Sequence, residues 1–108
     1  MIITEEQFRI KLKEKLDTLH VNPRFVTGPG RSGAIASVYA SYYLKIPYVP
    51  FKTILPNHFF PILIIDTVEN TGKTLRSACK FYENNGPIPV FVFEEPPRLH
   101  FWYEGFQQ

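Results

Sequence analysis

The sequence predicts a three-layer α/β/α fold with a mainly parallel sheet, formed by one domain over residues 1–108. Three observations predict it. First, Ile62, Leu63, Ile64 and Ile65 run straight into an acid, Asp66, as expected of a strand buried on both faces. Second, strand-like and helix-like stretches alternate, which implies right-handed crossovers and parallel pairing. Third, two polar turns, Gly28–Gly33 and Glu69–Thr74, each lead from a strand into a helix. Such turns aim free backbone N–H groups and the positive end of a helix dipole at an anion.

The elements follow in order. Thr4 with Gln7 three residues on reads as a capping box opening a helix. Its apolar stripe is Phe8, Ile10, Leu12, Leu16 and Leu19, and Lys11, Lys13, Glu14, Lys15 and Asp17 form a solvated face. That helix stops near His20, before Asn22-Pro23. Arg24–Thr27 is a short strand and Gly28–Gly33 a tight loop. Ala34 to Leu44 is a helix rich in small residues, able to lie close on a sheet. Pro47–Phe51 is a second strand, at an edge because of its prolines. Lys52–Phe60 is a loop. The central strand 62–65 follows, then a helix over roughly 73–84, ended by Gly86 and Pro87. Pro89–Phe93 is the fourth strand. Glu94–Arg98 turns the chain, and Leu99–Phe106 is a final strand or an edge flap.

Composition narrows the function classes. A net charge of +2 is too small for a general nucleic-acid binder, so no nucleic acid is expected as partner. No apolar run reaches membrane-spanning length, and Met1–Glu6 lacks the basic and apolar regions of a secretory leader. The single Cys79 has no internal disulfide partner, which favours a reducing compartment. A soluble, cytoplasmic protein is the expectation. Ten Phe and six Tyr are many for this length, and leave enough aromatic surface for a homodimer.

The chemistry is concentrated in residues 61–75. Asp66 closes the strand where open α/β sheets bind ligands. Glu69, Asn70, Thr71, Gly72, Lys73 and Thr74 then form a loop at a helix N-terminus, suited to a phosphate. Gly72-Lys73-Thr74 copies the tail of a Walker A loop. That motif needs a glycine five positions earlier, where Thr67 stands, and has no acid closing its strand. An ordinary strand-turn-helix is the plain alternative. The second turn, with Gly30, Arg31, Ser32 and Gly33, offers backbone N–H groups and a guanidinium fork for phosphate oxygens.

The stretch Ile62–Leu75 resembles the ribose-phosphate motif of the type I phosphoribosyltransferases, in the form carried by the hypoxanthine-guanine enzymes. Asn70-Thr71-Gly72-Lys73-Thr74 stands where those have Asp-Thr-Gly-Lys-Thr. Gly28–Gly33 resembles the family's diphosphate loop and Lys52 its lysine after the second core strand. The likeness covers about residues 23–93. It implies four parallel core strands and a site for 5-phosphoribosyl 1-diphosphate (PRPP) with Mg²⁺. It implies that Thr71, Gly72, Lys73 and Thr74 hold the 5′-phosphate, with Glu69 and Asn70 in the same loop. Asp66 and Thr67 would meet the ribose hydroxyls, with Mg²⁺ near Asp66. Gly30, Arg31, Ser32, Gly33 and Lys52 would face the diphosphate, and a cis peptide would be sought among Gly30, Arg31 and Ser32. Asp66, Lys52 and Arg31 would be the catalytic residues.

Five departures accompany the likeness. Thr67 replaces the second acid of the usual pair, and Asn70 replaces the acid that serves as base in purine enzymes. Only Thr53–Phe60 is available for the mobile loop. Glu94-Glu95 stands where purine enzymes have a lysine contacting the base, and the nucleobase-binding hood is reduced to the first helix and the tail. Glu94 and Trp102 are the base-contacting candidates, Trp102 by stacking. The tail aromatics alternatively close a small core or a dimer face. Three functions remain open: phosphoribosyl transfer from PRPP to a nucleobase with release of diphosphate; binding of PRPP or a nucleotide by a sensor, regulator or sequestering protein with little or no turnover; or hydrolysis, with water attacking the ribosyl centre or a phosphate in an open site.

Overall fold

The computed structural model describes residues 2–69, 71–95 and 97–106. Its elements are β1 (Ile2–Ile3), α1 (Glu5–Leu16), β2 (Phe25–Thr27), α2 (Gly30–Leu44), β3 (Ile62–Glu69), α3 (Lys73–Phe81), β4 (Pro87–Glu94) and β5 (His100–Phe101). Single 3₁₀ turns follow α3 and β5. The central sheet has the order β2-β3-β4, all parallel. The sequence predicts an edge strand over Pro47–Phe51, which would make four parallel core strands. Only Tyr48 pairs, by an isolated parallel bridge to Val26 on the outer side of β2. Pro47 and Pro50 flank it and have no N–H to donate, so the ladder cannot extend.

The chain therefore leaves β2 toward Tyr48 on one side, and leaves β3 toward β4 on the other. With right-handed crossovers, α2 and α3 fall on opposite faces of the sheet. Two core clusters reflect this. Phe8, Leu12 and Leu16 of α1 and Ala36 and Ala40 of α2 pack with Val26, Leu63, Ile65 and Val92. Leu75, Ala78 and Tyr82 pack with Ile62 and Ile64 on the other face. The first four residues of β3 are wholly buried and alternate between the two clusters. Burying each such side chain contributes about 1.5–3 kcal/mol.

Local signals account for the helix boundaries. Thr4 accepts from the Gln7 N–H and its own N–H bonds the Gln7 side chain, completing the capping box. Phe8, Leu12 and Leu16, four residues apart, share the buried face. Ile10 lies off that face and is 57% exposed, so it leaves the predicted stripe. Gly86, in the left-handed region, ends the 3₁₀ turn after α3. The tail forms neither a long strand nor a flap. His100 and Phe101 pair in parallel with Ile2 and Ile3, and a 3₁₀ turn follows. Its aromatics are absorbed internally: Phe101 is buried, and Trp102 meets Phe8 and Tyr39. Tyr42 and Tyr43 of α2, with Phe60 and Phe81, are exposed aromatics instead. Among the described residues, no helix is long and apolar enough to cross a membrane.

The junction of β2 and α2 is the tightest point. A Cβ on Gly28 would meet Gly33 O at 2.0 Å and Ile65 O at 2.6 Å, so the first turn of α2 sits directly against backbone of the central sheet. Gly30 has φ +69° but open space around it. Gly28→Ala should therefore destabilise by about 3 kcal/mol, the upper end of ordinary overpacking. Gly30→Ala should cost only the left-handed strain, about 1–2 kcal/mol. Urea midpoints should rank wild type, then Gly30→Ala, then Gly28→Ala.

Candidate functional site

β2 and β3 are the strands whose connections leave in opposite directions, so the crevice at their C-terminal ends is the ligand position of an open α/β sheet. The starts of α2 and α3 border this crevice, and both differ from that of α1. The N-cap of α2 is Pro29 and that of α3 is Gly72, and neither supplies a side-chain hydrogen bond. An uncapped helix start has N–H groups to offer an anion.

β3 is longer than its apolar run. It continues to Glu69, still in register with β4 as far as Glu94. Asp66 is thus inside the strand, and the turn into α3 is shorter than the sequence suggested. Asn70 lies outside the described residues. Asp66, Glu69, Thr71, Gly72, Lys73 and Thr74 line one depression of about 180 Å³. The Thr71 hydroxyl accepts from the Lys73 N–H at 3.3 Å, and Arg76 Nη1 donates to the Thr71 carbonyl at 3.1 Å. These contacts fix the turn beneath the depression. Gly72, at φ +76°, lets the chain reverse tightly into α3.

Asp66 is half-buried. Burial raises its carboxyl from the ordinary 3.8 to about 6, although Oδ1 accepts from the Thr67 N–H at 2.8 Å. Thr67 does not share the depression. Adjacent strand residues point to opposite faces, and its side chain is buried on the α2 side. The pairing of Asp66 with Thr67 over one ligand is therefore not formed.

The residues assigned to the diphosphate are divided. Gly30, Arg31, Ser32 and Gly33 form the first turn of α2, not a free loop. Gly33 is buried against Gly28 and serves packing. Arg31 and Ser32 line a second depression, about 370 Å³, with Ile35, Arg98, Tyr103 and Glu104. Lys52 lies instead in a groove with Pro29, Thr74, Ser77 and Lys80, and has φ 72°. Thr74 lines both this groove and the Asp66 depression, so the two are neighbours across that residue. The cis peptide sought near Arg31 is absent; among the described residues the cis bond is Phe60–Pro61.

The base-contact candidates do not converge on the crevice. Trp102 is packed among Phe8, Tyr39 and Tyr103. Glu94 is exposed at the end of β4, beside Glu69 in the ladder. Tyr103 reaches the site in their place: its hydroxyl is 2.7 Å from Ser32 Oγ. Burial raises its phenol above the ordinary value, opposed by the Ser32 and Thr67 hydroxyls. The available signal was that a half-buried tyrosine in an aromatic run needs a partner for its O–H.

No family model and no curated protein sequence matches the chain. Solved structures do. A Helicobacter pylori xanthine-guanine-hypoxanthine phosphoribosyltransferase superposes with a TM-score of 0.73 at 12% identity, over 95% of this chain and 92% of that one. A Pyrococcus horikoshii purine phosphoribosyltransferase gives 0.75 at 19% identity over the same shares. A Neisseria gonorrhoeae protein with bound ppGpp gives 0.64 at 14% identity, over 94% and 79%. These likenesses establish the fold.

The charge on Asp66 has a testable cost. Below about pH 4 the carboxyl is protonated in both folded and unfolded chains. As pH rises from about 4 through 6, the unfolded chain releases its proton first and stability falls; above about 6 the loss is complete. Asp66→Asn removes that cost. Its unfolding free energy from urea titration should exceed that of wild type at pH 8, by on the order of 1 kcal/mol after solvent screening, and the gain should shrink toward pH 4.

Proposed function

From a chain with the type I phosphoribosyltransferase fold, we propose a PRPP-binding protein that transfers the phosphoribosyl group to a nucleobase, releasing diphosphate. The observation that supports this most is the joint depression of Asp66 and Thr71–Thr74 at the C-terminal end of β3. It offers a carboxylate for ribose hydroxyls beside an uncapped helix start for the 5′-phosphate. In transfer, the bond from ribose C1 to the diphosphate oxygen breaks and a bond from C1 to a base nitrogen forms. Asp66, mostly ionised at pH 7, would stabilise the positive charge on the ribosyl ring. Lys52 and Arg31 would neutralise the departing diphosphate from two sides.

The described residues contain no cluster of three or more acidic, His or Cys groups for a metal. Mg²⁺ is commonly held by one or two carboxylates plus substrate phosphates. Asp66, with Glu69 in the same depression, fits an ion that arrives with PRPP. Such an ion would screen the phosphate charge.

A second reading, binding without turnover, has its own support. Asp66 is followed in the chain by Thr67 rather than a second acid, and that side chain turns away into the core. The Thr53–Phe60 loop is also tied down: Asn85 Nδ2 donates to the carbonyls of Pro56 at 3.0 Å and Phe59 at 2.9 Å. A loop held this way closes poorly over a reacting centre, and one structural neighbour carries bound ppGpp.

PRPP with Mg²⁺ at concentrations well above Kd should raise the melting temperature by about 5 °C or more. Thr74→Ala should weaken binding about tenfold. Diphosphate release that requires an added base supports transfer. Binding without release supports the sensor reading, and absence of any shift contradicts both.

A further inference from the structure

The depression lined by Arg31, Ser32, Ile35, Arg98, Tyr103 and Glu104 is built from two distant parts of the chain, the start of α2 and the C-terminal segment. That segment is held firmly. β5 is paired with β1, and the Leu99 N–H donates to the Glu95 carboxylate at 2.9 Å. The rings of Phe101 and Tyr103 stack at 5.4 Å with an angle of 8°. The scaffold delivers the Tyr103 hydroxyl to Ser32 Oγ at 2.7 Å.

The depression is lined by two guanidinium groups and one carboxylate. Among the described residues neither Arg31 nor Arg98 is in an ion pair. The carboxylate of Glu104 is turned to its own segment: Oε1 accepts from the Phe101 N–H at 3.2 Å and Oε2 is 3.7 Å from His100 Nδ1. Two guanidinium forks and an oriented hydroxyl suit an anion with several oxygens.

We propose that the C-terminal segment completes an anion site, with Arg98 as a binding residue and Tyr103 as the residue that positions Ser32. Naming diphosphate as the occupant rests on the phosphoribosyl reading. A serine hydroxyl has one hydrogen. When the Tyr103 O–H donates to Ser32 Oγ, the serine hydrogen is directed to the anion, and the two bonds reinforce each other. A tyrosine hydroxyl is protonated at neutral pH and so has the hydrogen to donate this bond.

The test is calorimetric titration of inorganic diphosphate and, in parallel, of PRPP with Mg²⁺. Arg98→Ala should weaken diphosphate binding about tenfold. Tyr103→Phe, which keeps the ring stack, and Ser32→Ala should each weaken it about fivefold, and the double variant should be no worse than Ser32→Ala alone. A merely structural tyrosine would lower the melting temperature without this coupling. Additive losses, or unchanged affinity in Tyr103→Phe and Arg98→Ala, overturn the proposal, as does wild type that binds no diphosphate. PRPP binding sensitive to Thr74→Ala but indifferent to Arg98 and Tyr103 overturns this site and leaves the phosphoribosyl reading standing. Diphosphate binding with the expected losses, and no PRPP binding, does the reverse.

Discussion

The fold depends on a close backbone approach at one point. Gly28, Gly33 and Ile65 bring the end of β2, the first turn of α2 and the middle of β3 together with no room for a Cβ. That contact sets how α2 leaves the sheet and where its uncapped start faces. The crevice between β2 and β3 follows from it, because the connections from these strands diverge there. Dense packing on both faces of β3 then holds the crevice rigid enough to present a ligand.

Within the crevice, strand geometry divides labour. Asp66 and Thr67 are neighbours in sequence but point to opposite faces. Asp66 joins the turn into α3 on one side, and Thr67 joins Tyr103 on the α2 side. The cost is a carboxylate that burial holds near pH 6 without an acidic partner or a salt bridge among the described residues.

Much of this was legible in the residues. The capping box at Thr4, the i, i+4 series Phe8, Leu12 and Leu16, and the apolar run into Asp66 are local patterns, and local patterns survive folding. The tight turn into α3 was equally legible, because its backbone requirement falls on Gly72, at φ +76°. What was not legible depends on distant partners. Tyr48 keeps one bridge because prolines on both sides have no N–H, although the stretch is rich in β-formers. β1 exists only because β5 lies beside it. Trp102 has stacking potential, yet Phe8 and Tyr39 consume it, and the next residue, Tyr103, reaches Ser32 instead. Periodicity cannot tell which member of an aromatic run turns inward.

The central claim is that the turn into α3, with Asp66, holds a ribose 5-phosphate. Amide NMR of the labelled protein during titration with ribose 5-phosphate tests it most directly. The account predicts saturable shifts largest at Gly72, Lys73 and Thr74, with Asp66 responding and the α1–α2 surface around Tyr42 and Tyr43 silent. Saturable shifts confined to that α1–α2 surface, or none at the turn at any attainable concentration, would contradict it.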